Sequence, residues 1–162
     1  MGFSRFVPQM WERLRRFRRW PGAARLMFFR AAVLLPLISL SLRIRGFGAT
    51  QKWQRWPAPP ETSANKENKA SKIATVERAV RAAARYGLVR ATCLEQALAQ
   101  RWLLRQGGVS AELRIGVRKS GEKFEAHAWV ECDGRALDAG DSHEHYEAFD
   151  AELSRLATEE TP

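Results

Sequence analysis

Cys93, His127 and Asp138 are the residues of this chain whose types and spacing could carry covalent chemistry. A cysteine at the first residue of a helix meets unpaired backbone N–H groups and the positive end of the helix dipole, both of which favour a thiolate. The same N–H groups can hold the oxyanion of a tetrahedral intermediate. The sequence supplies that position: Thr92 is a suitable N-cap, and CLEQALAQRWLLRQ runs from Cys93 to Gly107-Gly108. Taken alone, a free cysteine is most often a small buried hydrophobe. A histidine within reach as base, oriented by a carboxylate, is what turns it into a nucleophile.

The elements downstream decide whether such a base exists. Val109, Ala111, Leu113, Ile115 and Val117 alternate with polar residues, the period of a strand buried on one face. Lys119–Glu122 reads as a turn, FEAHAWVEC (124–132) as a second strand, and Asp133-Gly134 as a tight hairpin turn before a returning strand at 135–139. On the second strand Phe124, Ala126, Ala128 and Val130 share one face, and His127 shares the other with Glu125, Trp129 and Glu131. A two-residue loop pairs Cys132 with Arg135, Val130 with Leu137, Trp129 with Asp138 and His127 with Gly140. Asp138 then lies on the face of His127 and diagonal to it, with Cβ atoms roughly 7 Å apart. Asp141 falls on the other face and reads instead as a helix cap with Glu144, before a tail helix carrying Tyr146, Phe149, Leu153 and Leu156. An exposed strand histidine is the plain alternative for His127, and packing beside the turn is the expected role of Cys132. His143 and His145 stand two apart, point in different directions on a helix, and read as surface residues rather than metal ligands.

Upstream, Ile73, Val76, Val80 and Ala83 recur at helical spacing, which predicts an amphipathic helix over 72–86 ended by Gly87. The order helix, helix, three antiparallel strands, helix is an α+β arrangement. Residues 57–71, PAPPETSANKENKAS, read as a linker, which divides the chain into an N-terminal segment 1–56 and a core 72–158. The net charge of +9 is unevenly placed: residues 1–56 hold 12 Lys/Arg against Glu12 alone, and the remainder has 15 Lys/Arg against 17 acids. The basic third therefore has a different job from the rest. It predicts a short basic helix at 9–20 and an apolar helix at 23–45 bent near Pro36. The apolar run 31–42 is too short to cross a bilayer unaided and lacks the cleavage site of a signal peptide. Packing on protein, lying on a membrane surface, and spanning a membrane are its three readings, and the basic flanks suit an anionic lipid surface or an acidic peptide equally. No nucleic-acid-binding module accompanies the arginines. Two cysteines are too few for a disulfide framework: either the thiols are free in a reducing compartment, as expected of a cytoplasmic protein, or they form a single bridge.

The stretches ATCLEQALAQRWLLRQGGVSAELRIGVRK and FEAHAWVECDGRALD, with VERAVRAAARYG and RAAVLLPLISLSLRIRGF before them, resemble the leader peptidases (B2 proteins) of lasso-peptide biosynthesis. That family lies within the transglutaminase-like cysteine peptidases, and the resemblance covers roughly residues 23–150. It implies a transglutaminase- or papain-like core, a helix with an N-terminal cysteine packed on an antiparallel sheet, and a catalytic Cys93, His127 and Asp138. It further implies cleavage between leader and core of a ribosomally made precursor peptide. A separate leader-recognition protein and an ATP-dependent cyclase resembling asparagine synthetase would be partners. Relatives often read Asn-Asp where this chain reads Leu137-Asp138. Such acyl transfer needs no metal or cofactor. An amide transferase using the same thioester, or a non-catalytic peptide or membrane adaptor on the same fold, are the rival functions.

Overall fold

The computed structural model describes residues 20–54, 66–120, 123–137 and 146–148. Among the described residues, three helices precede a four-stranded sheet: α1 (Gly22–Gln54), α2 (Lys66–Tyr86), α3 (Cys93–Gln106), β1 (Glu112–Ser120), β2 (Lys123–Cys132), β3 (Arg135–Ala136) and β4 (Glu147–Ala148). The sheet is antiparallel, in the order β3-β2-β1-β4. The fold is α+β, with an N-terminal helix added to a helix-on-sheet core, as its sequence predicts.

α3 is the central helix. One side of it packs on β2 and β1, and the other sides meet α1 and α2. Its Ala97, Leu98, Ala99, Leu103 and Leu104 are buried, joined by Val76, Val80 and Ala83 of α2 and by Ala31, Leu34, Leu35 and Ile38 of α1. The alanines let the helix axes approach closely. The large side chains supply the hydrophobic gain, about 1.5–3 kcal/mol for each fully buried Leu or Ile. Ala128, Val130 and Cys132 of β2, with Leu137 beyond β3, close the same core from the sheet side. The apolar residues on both sides of the segment 57–71 thus share one core.

Several elements differ from the sequence expectation. Helical dihedrals persist through Pro36, and Gly46, with φ of 74° and ψ of 179°, interrupts the helix where the expected segment 23–45 ends, but helix then resumes to Gln54. Only glycine takes that φ without strain. The turn after it is tied back by the Thr50 hydroxyl, which donates to the Gly46 carbonyl at 2.8 Å and meets the Ser41 hydroxyl at 2.9 Å. α2 begins at Lys66, inside the stretch read as linker, because Lys, Glu and Ala at 66–70 favour helix over the neighbouring Pro and Ser. Lys69 reaches Asp133 in the β2–β3 turn at 2.6 Å, and Lys72 donates to the Gly107 carbonyl at 3.2 Å. β1 starts at Glu112 rather than Val109 and continues through Ser120, into the expected turn. The tail does not continue as a helix at Tyr146: Glu147 and Ala148 form β4, paired with Val117 and Gly116. The basic helix expected at 9–20, except Trp20, and the capping pair Asp141 and Glu144 lie outside the described residues.

Candidate active site

Cys93 is the first residue of α3. Thr92, with φ −69° and ψ 168°, is its N-cap and forms a reciprocal capping box with Glu95. The Glu95 N–H donates to Thr92 Oγ1 at 3.3 Å, and the Thr92 N–H donates to Glu95 Oε2 at 2.7 Å. The Gln96 N–H reaches the Thr92 carbonyl at 3.0 Å, and its side chain ties the preceding Ala91 carbonyl at 3.0 Å. The box satisfies two of the donors that a helix start leaves unpaired. Those of Cys93 and Leu94, the pair beside the sulfur, remain available to an anion. Cys93 is a half-buried free thiol packed against the core.

His127 sits on β2 opposite Gly116 of β1. Its ring stacks on Trp129 at 6.1 Å and 19°, and lies 5.2 Å from the ring of Tyr146. Arg118 covers that tyrosine at 4.9 Å and is held by Glu125 at 2.6 Å. The carboxylate raises the Arg118 pKa, chiefly through this hydrogen bond. Glu131 accepts from Trp129 Nε1 at 3.1 Å and from Arg114 Nε at 2.9 Å. Trp129 is only 4% exposed although it is turned away from α3, because its ring lies over Gly116. A Cβ at Gly116 would stand 2.8 Å from the Glu147 carbonyl and 2.9 Å from the indole. Glycine is required there by close approach rather than by dihedral angle.

The β2–β3 turn follows the expected register. Asp133 and Gly134 take φ of 52° and 72°, the two positive values of a type I′ turn. Cys132 pairs with Arg135, and the Leu137 N–H bonds to the Val130 carbonyl at 2.7 Å. Asp138, the next residue, lies outside the described residues, as do Asp141, His143 and His145. Burial raises the Cys132 thiol from its ordinary value near 9 to about 11, consistent with a packing role. Among the described residues no cluster of three or more His, Cys, Asp or Glu could hold a metal ion.

Cys93 opens the helix that packs on β2, and His127 lies on β2 itself. Alternation nevertheless points His127 to the face of Trp129, while Ala128 and Val130 face α3. Among the described residues no hydrogen bond joins Cys93 to His127. The residues that the hairpin register would set beside Trp129 and His127 on the β3 side, Asp138 and Gly140, lie outside the described residues.

Tyr146 and Arg118 were not expected at this site. The tyrosine fits a helical period with Phe149 in sequence, and its true partner on β1 is remote along the chain. Gly116 did carry a signal, as a lone glycine within an alternating strand.

The arrangement, a central helix packed on an antiparallel sheet with a further N-terminal helix, is consistent with a papain-like fold. The chain belongs to the transglutaminase-like superfamily, whose family model matches residues 34–151. That superfamily includes cysteine peptidases and transferases. Comparison with curated proteins and with solved structures finds no match.

Proposed function

We propose that this protein is a cysteine peptidase that removes the leader from a ribosomally made lasso-type precursor peptide. The observation that carries the reading is Cys93 at the start of α3, where the Thr92–Glu95 box leaves the Cys93 and Leu94 N–H groups unspent. Family membership and the AHAWVE strand support it.

In the proposed reaction the Cys93 thiolate attacks the carbonyl carbon of the last leader residue. The N–H groups of Cys93 and Leu94 carry the negative oxygen. His127, protonated, gives its proton to the departing amine of the core peptide as the C–N bond breaks, leaving a thioester. A water molecule then gives a proton to His127 as its oxygen attacks the thioester; the C–S bond breaks, the leader departs as a carboxylate with its acid proton lost to solvent, and the Cys93 thiolate and protonated His127 are restored. Asp138 holds the imidazole tautomer. The reaction requires the imidazole to leave the face of Trp129 and come within hydrogen-bond distance of the sulfur. A separate leader-recognition protein presents the substrate, and an ATP-dependent asparagine-synthetase-like cyclase consumes the free core.

Mass spectrometry of precursor incubated with the protein and that partner tests the reading. Leader and core should appear, with one water added across the bond, and Cys93→Ala should yield neither while unfolding normally. Cleavage by a folded Cys93→Ala protein would end the proposal, and a product joined to an added amine would make it a transferase. Asp138→Asn should lose far more activity than Asp141→Asn; the reverse ranking would reassign the acid.

A further inference from the structure

α1 is apolar on two opposite sides. Ala31, Leu34, Leu35 and Ile38 are buried against α2 and α3, but Leu26, Phe29, Val33, Leu37, Leu40 and Ile44 are 50–72% exposed. Their spacing of three and four residues lines them along a single helix face, over about 27 Å. The stripe widens into an open hollow shared with Trp102 and Leu103 of α3. Soluble monomers rarely leave so continuous an apolar surface uncovered.

We propose that this face of α1 rests on an anionic lipid surface, with the helix lying in the plane of the membrane. The charge around the stripe favours lipid over a protein partner. Arg25 and Arg30 flank one end and Arg43 and Arg45 the other, all exposed. No acidic residue occurs between Glu12 and Glu61. A basic rim around an apolar stripe suits a surface of uniform opposite charge with an apolar interior beneath it, which is what an anionic bilayer offers. By length and composition the helix over Gly22–Lys52 could also cross a bilayer. Its inner face argues against that: Ala31 and Ile38 are fully buried against α2 and α3. α2 exposes Arg81 and Arg85 and could not follow α1 into hydrocarbon. Lying flat keeps the inner face in the protein core and gives the outer face to the acyl chains.

The test is co-sedimentation of the full-length protein with vesicles, independent of any cleavage assay. Phosphatidylglycerol-rich vesicles should carry the protein down, phosphatidylcholine vesicles should not, and high salt should release it. Arg43→Gln with Arg45→Gln should weaken binding about fivefold per arginine. Val33→Glu with Leu37→Glu should abolish binding without changing thermal unfolding, since both positions are exposed. The proposal is overturned if wild type ignores anionic vesicles or if the double glutamate variant still binds. It is overturned equally by bound protein that resists alkaline carbonate extraction, which marks a span. A dimer in vesicle-free buffer that Val33→Glu dissociates would show that a second copy covers the face.

Discussion

Successive residues of β2 meet two unlike surroundings. Ala128, Val130 and Cys132 press on α3 inside the apolar core, where only volume and the absence of polarity matter. Glu125, His127, Trp129 and Glu131 stand opposite, among Arg118, Arg114 and Tyr146, where hydrogen-bond directions and ring planes matter. Dispersion tolerates a side chain of similar size, whereas an ion pair or an indole donor tolerates few substitutes. The comparison teaches that damage to one face should appear as lost stability, and damage to the other as lost chemistry.

The sharpest way to break that contrast is a pair of variants. His127→Ala should slow precursor cleavage by about 10²–10⁴-fold with little change in thermal midpoint. Val130→Ala should cost about 2 kcal/mol of stability and leave the rate of the folded enzyme nearly intact. Rates and unfolding curves on both proteins decide it. If Val130→Ala costs activity and His127→Ala only stability, the division of labour is wrong.

Next in size is Gly116→Ala, which joins the two faces of the argument. The new methyl group would press on the Glu147 carbonyl and on the indole of Trp129. Overpacking of this kind costs about 1–3 kcal/mol, and it should move Trp129 fluorescence as well. A neutral substitution would mean that β4 and the indole do not close over this residue.

How far these surroundings were legible in sequence varies along the chain. The turn at Asp133-Gly134 was legible because a type I′ turn needs positive φ at both residues, and the register followed from the count of residues in it. The start of α3 was legible from Thr92, although the partner Glu95 of its capping box was passed over. Trp129 was placed on the correct face, but its burial was not foreseen, because the space it fills belongs to Gly116 on another strand. β4 was illegible: two residues carry no period, and their pairing with β1 spans some thirty residues of chain. Gly46 interrupts α1 where the apolar helix expected at 23–45 was to end, because its positive φ leaves the helical path, whereas Pro36 sits inside the helix.

Thr92→Ala is a smaller perturbation, aimed at the helix end that serves both stability and chemistry. Losing the cap should cost about 1 kcal/mol. It also frees the Glu95 N–H and loosens the first turn, so cleavage should fall by more than the unfolding curve implies. Equal losses in the two measurements would make Thr92 a cap and nothing more.

The smallest expected effect concerns Cys132, and it separates the two cysteines. Burial holds its thiol at about 11, above its ordinary value near 9. The folded state therefore keeps a proton that the unfolded state has lost between those values. Its contribution to stability is fully present below about pH 9 and drains away as the pH rises toward 11. Cys132→Ala should flatten that alkaline decline, and an unchanged slope would place the thiol in contact with water. The same burial predicts alkylation order. Iodoacetamide at neutral pH should modify half-buried Cys93 well before buried Cys132, because reaction needs both access and thiolate. Cleavage activity should then fall in step with the gain of label on Cys93, whereas any label on Cys132 should appear only as the protein unfolds. Equal rates at the two positions would show that the core face of β2 opens as readily as the end of α3, and the contrast between the faces would fail.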